Sequence, residues 1–127
     1  MTKKNIFISG ASRGIGKSMA QHFAKSNFNV VGTSRNNFKF DNDLENLFPI
    51  KLDVTSRNDV KDCFDELKSK NLLPDILINN AGITADQLFL RMSDDDWDNV
   101  INTNLTGTFN LTKIFLKNMI KNKFGRI

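Results

Sequence analysis

The chain has 127 residues, 39% of them hydrophobic and 25% charged, which are the proportions of one globular domain with little room for a second. Eighteen Lys and Arg against fourteen Asp and Glu leave a net charge of +4, which permits acidic partners without specifying any, and no apolar stretch is long enough to cross a membrane. The opening MTKKNIFISG carries too short an apolar run for the core of an export signal, so a cytoplasmic location is expected; the single Cys63 excludes an internal disulfide.

Asn5 to Ser9 is a short apolar run with the character of a buried strand, and Ile15 to Ser26 has the periodicity of a helix. Between them Gly10 to Gly16 read GASRGIG, with the glycines spaced G-x-x-x-G-x-G. At the first strand-to-helix turn of a sheet, glycines allow a tight turn, close approach of backbone to a pyrophosphate, and close packing of helix on strand. The N-terminus of the helix then offers unpaired N–H groups to phosphate, so a dinucleotide is the expected ligand. A second strand, Asn29 to Thr33, runs into VVGTSRNN, where a carboxylate would bind the ribose hydroxyls of NAD. None is present. Arg35 stands there instead, with Arg13 in the glycine loop, and two guanidiniums suit a 2′-phosphate, which favours NADP(H). The alternative for Arg35 is an ordinary surface arginine.

Phe48 to Leu52 forms a third strand. Thr55 to Lys70 follows as a helix with its apolar stripe at Val60, Cys63, Phe64 and Leu67, which makes Cys63 a packing residue. Ile76 to Asn79 is a fourth strand after Pro74. This alternation predicts a doubly wound α/β architecture: parallel neighbours need crossovers, and uninterrupted apolar strands need burial on both faces. Asn79-Asn80-Ala81-Gly82 closes the fourth strand with small residues that keep a crevice open and amides that tie neighbouring loops, unless it is a simple turn.

The longest helical pattern begins at Ser93, a natural N-cap, with Asp94, Asp95 and Asp96 in its first turn. Compensation of the helix dipole accounts for the three carboxylates, and no metal site is expected. On a continuous helical wheel Trp97, Ile101, Leu105, Thr108 and Phe115 define one face with Asn104 near its middle, so periodicity alone reads Asn104 as a satisfied core amide. Lys113, Lys117 and Lys121 recur every four residues, with Lys123 and Arg126 beyond, as a solvated face or a surface for an acidic partner.

The glycine spacing, the NNAG after the fourth strand and Asn104 in the following helix resemble the short-chain dehydrogenase/reductase family. GITADQLFLRMSDDDWDNVINTNLTGTFNLTK and the closing FGRI are similar to the 3-oxoacyl-[acyl-carrier-protein] reductases of bacterial type II fatty acid synthesis, and the likeness runs through essentially the whole chain. The resemblance implies a Rossmann-like doubly wound parallel sheet, strand order 3-2-1-4, truncated after the fourth strand and the long following helix. It implies that Gly10, Ala11, Ser12, Arg13, Gly14 and Ile15, with Gly16 behind them, line the pyrophosphate and nicotinamide ribose. Arg35 would take the 2′-phosphate, Asp53 and Val54 the adenine, and Asn80, Ala81 and Gly82 the adenine-side ribose. Asn104 would help hold a water in a proton relay to a catalytic lysine.

The implied reaction is hydride transfer from NADPH to the ketone of a 3-oxoacyl thioester, with proton donation by a tyrosine assisted by a lysine and a serine. In the family those three lie beyond the strand that GRI opens. This sequence contains no tyrosine and ends at Ile127. The expectation is therefore a chain inactive by itself, poorly ordered in isolation, with its fourth strand left as an exposed edge. The implied partners are an acyl-carrier-protein-bound 3-oxoacyl substrate and further copies in a homotetramer built through the long helix. A non-catalytic NADP-binding module and a short-chain reductase of another ketone or alcohol are the alternatives. Nucleic-acid binding rests only on the net charge and is set aside.

Overall fold

The computed structural model describes residues 3–41 and 44–127. Four strands, β1 (Asn5–Ile8), β2 (Asn29–Ser34), β3 (Leu47–Lys51) and β4 (Ile76–Ile78), form one parallel sheet in the order β3-β2-β1-β4. Phe7 pairs with Val31 on one side and Leu77 on the other. Helix α1 (Gly14–Lys25) follows β1, and α2 (Arg57–Ser69) follows β3; α3 (Asp94–Ile101) and α4 (Gly107–Lys121) follow β4.

Alternation along the strands divides the core in two, because successive side chains leave a strand on opposite faces. Phe7, Val31 and Leu77 point to the face covered by α2 and α4, where they meet Val60, Cys63, Leu67, Leu111 and Phe115. Ile6, Ile8 and Val30 point to the other face, against Ala20 and Ala24 of α1. That second face has less helix than a doubly wound sheet normally supplies. Among the described residues between β2 and β3 there is no helix, and Phe40 and Leu44 pack there instead.

The helix ends follow from short local signals. Ser93 caps α3 by accepting from the Asp96 amide (3.0 Å), as the sequence predicts, and Ser56 caps α2 in the same way by accepting from the Asp59 amide (3.2 Å). Helices α1, α2 and α4 end in left-handed residues, Asn27, Asn71 and Lys123. The next amides, of Phe28, Leu72 and Phe124, return to the carbonyls of Phe23, Leu67 and Met119 (2.8–3.1 Å), satisfying acceptors that would otherwise lack partners.

Two expectations are corrected. The long pattern from Ser93 is not one continuous helix: a π turn at Asn102–Thr106 separates α3 from α4, with the Gly107 amide bonded to the Asn102 carbonyl five residues back. The extra residue rotates everything after it relative to a single wheel, so the buried positions are Thr103, Gly107, Asn110, Leu111, Phe115 and Met119. Trp97, Leu105 and Asn104 are exposed. Secondly, the outer side of β4 is not bare. Arg126 forms a parallel bridge with Ile76: the Leu77 amide donates to the Arg126 carbonyl (2.9 Å), and the Arg126 amide to the Asp75 carbonyl (3.1 Å).

Candidate functional site

The carboxyl ends of the strands open into one cleft of about 530 Å³. In an open parallel sheet this crevice, where strand order reverses about β1, is where ligands bind. The local sequence makes it. Gly10 and Gly14 take left-handed conformations, φ +69° and +60°, at which a side chain would be strained. A Cβ on Gly10 would stand 2.9 Å from Ala81 Cα. One on Gly16 would collide with the Gly10 carbonyl oxygen and lie 2.6 Å from Asn80 Nδ2. The α1 N-terminus has Arg13 as its N-cap with no side-chain cap and no acidic residue in the first turn, so its N–H groups remain available to an anion.

The NNAG turn is tied to the glycine loop from two directions. Asn80 Nδ2 donates to the Gly10 carbonyl (2.9 Å). Ser9 Oγ, buried at the end of β1, accepts from the Asn80 and Ala81 amides (3.1 and 2.9 Å). Asn104 sits just outside. Its Oδ1 accepts from the Ile83 amide and its Nδ2 donates to the Ile83 carbonyl, both at 2.9 Å, so it clamps the chain leaving NNAG from the π turn. Its reading as a core amide within an apolar face gives way to that role, because the π turn lifts it to the surface.

The cleft brings together Gly10, Ser12, Arg13, Gly14, Ile15, Arg35, Asp53, Val54, Asn80, Ala81 and Gly82. Ala11 and Gly16 lie behind its wall. Ala11 is fully buried with its amide bonded to the Thr33 carbonyl (2.8 Å), and Gly16 is in the packing of α1 on the loop. Thr33, Ser34, Asn36, Leu52, Ile83 and Thr103 also line the cleft and were not singled out by the sequence. Thr33, Ser34 and Asn36 flank Arg35 and were within reach of the same argument. Asp53 Oδ1 accepts from the Thr55 amide (2.9 Å) and hydroxyl (2.7 Å), leaving the other carboxylate oxygen free of that turn.

Several observations fit this cleft to a dinucleotide. Thr33 Oγ1 lies buried in its wall with no hydrogen-bond partner among the described residues, a cost that a polar ligand atom would remove. Neither Arg13 nor Arg35 has an ion pair or side-chain hydrogen bond among the described residues, and Asp53 is the one carboxylate in the lining. Two unengaged guanidiniums beside a backbone N–H cradle make a phosphate-binding surface. No cluster of three or more metal-ligating side chains occurs among the described residues. Buried Cys63 lies apart in the core, its thiol pushed up to about 12 by burial and then by the Glu66 carboxylate.

A parallel sheet with a glycine cradle at its central turn is a nucleotide-binding fold of the Rossmann-like class. Within that class the profile of the short chain dehydrogenase family matches residues 4–127, and the chain belongs to that family. It is 41% identical over 131 aligned positions to the 3-oxoacyl-[acyl-carrier-protein] reductase FabG of Buchnera aphidicola subsp. Baizongia pistaciae, covering 99% of this chain and 54% of that protein. The FabG of Escherichia coli strain K12 is 37% identical over 128 positions, covering 98% and 52%. The chain thus spans about half the length of the curated relatives it matches. Among solved structures, ElxO with NADP bound superposes with a TM-score of 0.89 at 36% identity, covering 98% of this chain and 53% of that one. A short-chain dehydrogenase from Leptospira borgpetersenii with bound NAD+ gives 0.89 at 28%, covering 96% and 48%.

Proposed function

We propose that this chain is the nucleotide-binding portion of an NADP(H)-dependent reductase of 3-oxoacyl-[acyl-carrier-protein]. The observation that carries the cofactor half is the presence of unengaged Arg13 and Arg35 around the glycine cradle, with no carboxylate in the residues directly after β2 that line the cleft. The relatives named above support the substrate half.

When bound, the nicotinamide supplies a hydride to the substrate's ketone carbon. The chain's own residues bind and orient. Gly10 to Ile15 cradle the pyrophosphate and nicotinamide ribose, with Gly16 holding α1 close. Arg35 pairs with the 2′-phosphate, Asp53 and Val54 meet the adenine, and Asn80, Ala81 and Gly82 face the adenine-side ribose. Asn104 keeps Ile83 and the NNAG turn in register, and in the complete reaction it helps hold a water in a proton relay to a catalytic lysine. These 127 residues contain no tyrosine to donate the proton. The chain by itself binds cofactor without turnover.

The exposed Lys113, Lys117, Lys121, Lys123 and Arg126 form a basic surface for an acidic carrier protein. Leu105, Phe109, Leu116 and Ile120, exposed along the π turn and α4, support assembly through that helix. A reductase of a different ketone or alcohol is the second reading. It is favoured by 4-hydroxyisoleucine dehydrogenase complexed with NADH, which matches 96% of this chain with a TM-score of 0.85 at 34% identity.

The deciding experiment is calorimetric titration of NADPH and NADH into the chain and its Arg35→Asp variant. A preference for NADPH that Arg35→Asp abolishes, with an expected loss of about tenfold or more, supports the reading. Equal affinity for the two cofactors, unchanged by the substitution, overturns its NADP component.

A further inference from the structure

The connection from β2 to β3 is where this sheet departs from its own architecture. Parallel neighbours are ordinarily joined through a helix that covers the sheet face. Here residues 35–46 run RNNFKF and onward through a polar segment in which two phenylalanines stand out. Phe40 covers the exposed face in place of a helix. It packs against the cluster that includes Ile6, Ile8, Ala11 and Val30, and its ring occupies the notch left by a missing side chain in the middle of β2. A Cβ on Gly32 would stand 2.7 Å from Phe40 Cζ and 2.8 Å from Ala11 Cβ. Gly32 thus exists to admit this ring beside the glycine loop. Phe38 braces Phe40 edge to face, with centroids 5.1 Å apart. The next residue, Asp41, pairs with Lys17 of α1.

Only Arg35, Asn36 and Asn37, all exposed, lie between the end of β2 and this aromatic anchor. The anchor therefore limits where the Arg35 backbone can go. Through Ala11 and Lys17 it fixes that position relative to the glycine loop and α1. A guanidinium on a free loop loses conformational freedom when it grips phosphate, and a tethered one loses less.

We infer that Phe40, seated on Gly32 and Ala11, is a positioning residue that sets selectivity for a 2′-phosphorylated adenine nucleotide by holding the Arg35 loop against the cofactor cleft. The inference rests on the reading of Arg35 as the 2′-phosphate ligand. Phe40 itself touches no cofactor. The Lys17–Asp41 pair is largely solvated, so it contributes the smaller share.

The test is calorimetric titration of 2′,5′-ADP and of 5′-ADP into the chain and its Phe40→Ala, Phe40→Leu and Asp41→Asn variants. Phe40→Ala is expected to weaken 2′,5′-ADP about five- to tenfold while 5′-ADP changes less than about twofold, and Phe40→Leu should restore most of the loss. Asp41→Asn, on the surface and harmless to folding, should weaken 2′,5′-ADP selectively by about twofold. Parallel loss of both ligands in Phe40→Ala, or wild-type selectivity in both Phe40→Ala and Asp41→Asn, overturns the inference. In either case the wild-type preference for 2′,5′-ADP still stands for Arg35. A wild-type chain without that preference removes the Arg35 reading itself, and the inference with it.

Discussion

Replacing Ser9 with Ala removes one oxygen and tests how the cleft is held together. Ser9 is 1% exposed at the end of β1, and its hydroxyl accepts from two consecutive amides, Asn80 at 3.1 Å and Ala81 at 2.9 Å. Those amides belong to the turn that closes β4, whose only other hydrogen bond to the glycine loop among the described residues is from Asn80 Nδ2 to the Gly10 carbonyl. The methyl of alanine fits the same space, so packing is nearly unchanged and the loss is that of two hydrogen bonds. Each net bond contributes about 1 kcal/mol, and an amide left dry costs about 1–3 kcal/mol. Asn80 and Ala81 are half-buried, so water reaches them in part, and the expected destabilisation is about 2–4 kcal/mol.

With a urea dependence of about 2 kcal/mol per molar, the middle of the range for small proteins, the unfolding midpoint should fall by about 1–2 M. Amide hydrogen exchange locates the effect: protection should drop at Asn80 and Ala81 well before it drops in β2. A midpoint shift under about 0.3 M with unchanged exchange at both amides would refute the argument. The turn would then be held by the Asn80 side chain alone.

Two further outcomes follow from the packing. Gly16→Ala places a Cβ into the Gly10 carbonyl, a backbone group that cannot swing aside as a side chain would, so the glycine loop and α1 must separate; a loss of more than about 3 kcal/mol in a thermal or urea melt is expected, and a melt like wild type would mean the loop relaxes freely. The buried Cys63 thiol, held up to about 12, should resist thiol reagents at pH 8 until the chain unfolds. Between its ordinary value near 9.0 and about 12 the unfolded chain ionises this thiol while the folded chain keeps its proton. Stability from this group is therefore complete below pH 9 and lost as pH rises through that window, and Cys63→Ala should flatten the slope.

How far the site was legible in the sequence depends on the range of the interaction concerned. The glycine loop and the strands are local signals: apolar runs end at glycine, and a positive φ selects its residue wherever it occurs. Gly10, Gly14 and Arg35 were therefore visible as candidates, whereas Asp53 entered only through the family resemblance. Ser9 was not. It closes an apolar strand like any other small residue, and its role as a double acceptor exists only because β4 returns 71 positions later to lie beside β1. Gly32 is similar, since nothing within β2 announces that a phenylalanine eight residues on will fill the space above it.

At Asn104 the residue type is legible in the sequence and the helical phase is not. The segment NTNLTG carries no proline or other local mark of a break, so one continuous wheel puts the amide among apolar neighbours. The π turn adds a residue to one turn and shifts the positions around it, so that Leu105 and Thr108 leave the buried face while Phe115, two turns on, stays in it. The buried face becomes Thr103, Gly107, Asn110 and Leu111, where Gly107 passes close to Val54, and Asn110 Nδ2 donates to the Val54 carbonyl at 3.0 Å. A Cβ at Gly107 would stand 2.6 Å from Val54 Cγ2, so α4 can approach the end of β3 this closely only with glycine at that point. The π turn thus serves two neighbours whose demands one straight helix could not meet together. It turns Gly107 and Asn110 inward against Val54 at one side of the cleft, and it leaves Asn104 outward to clamp Ile83 at the other.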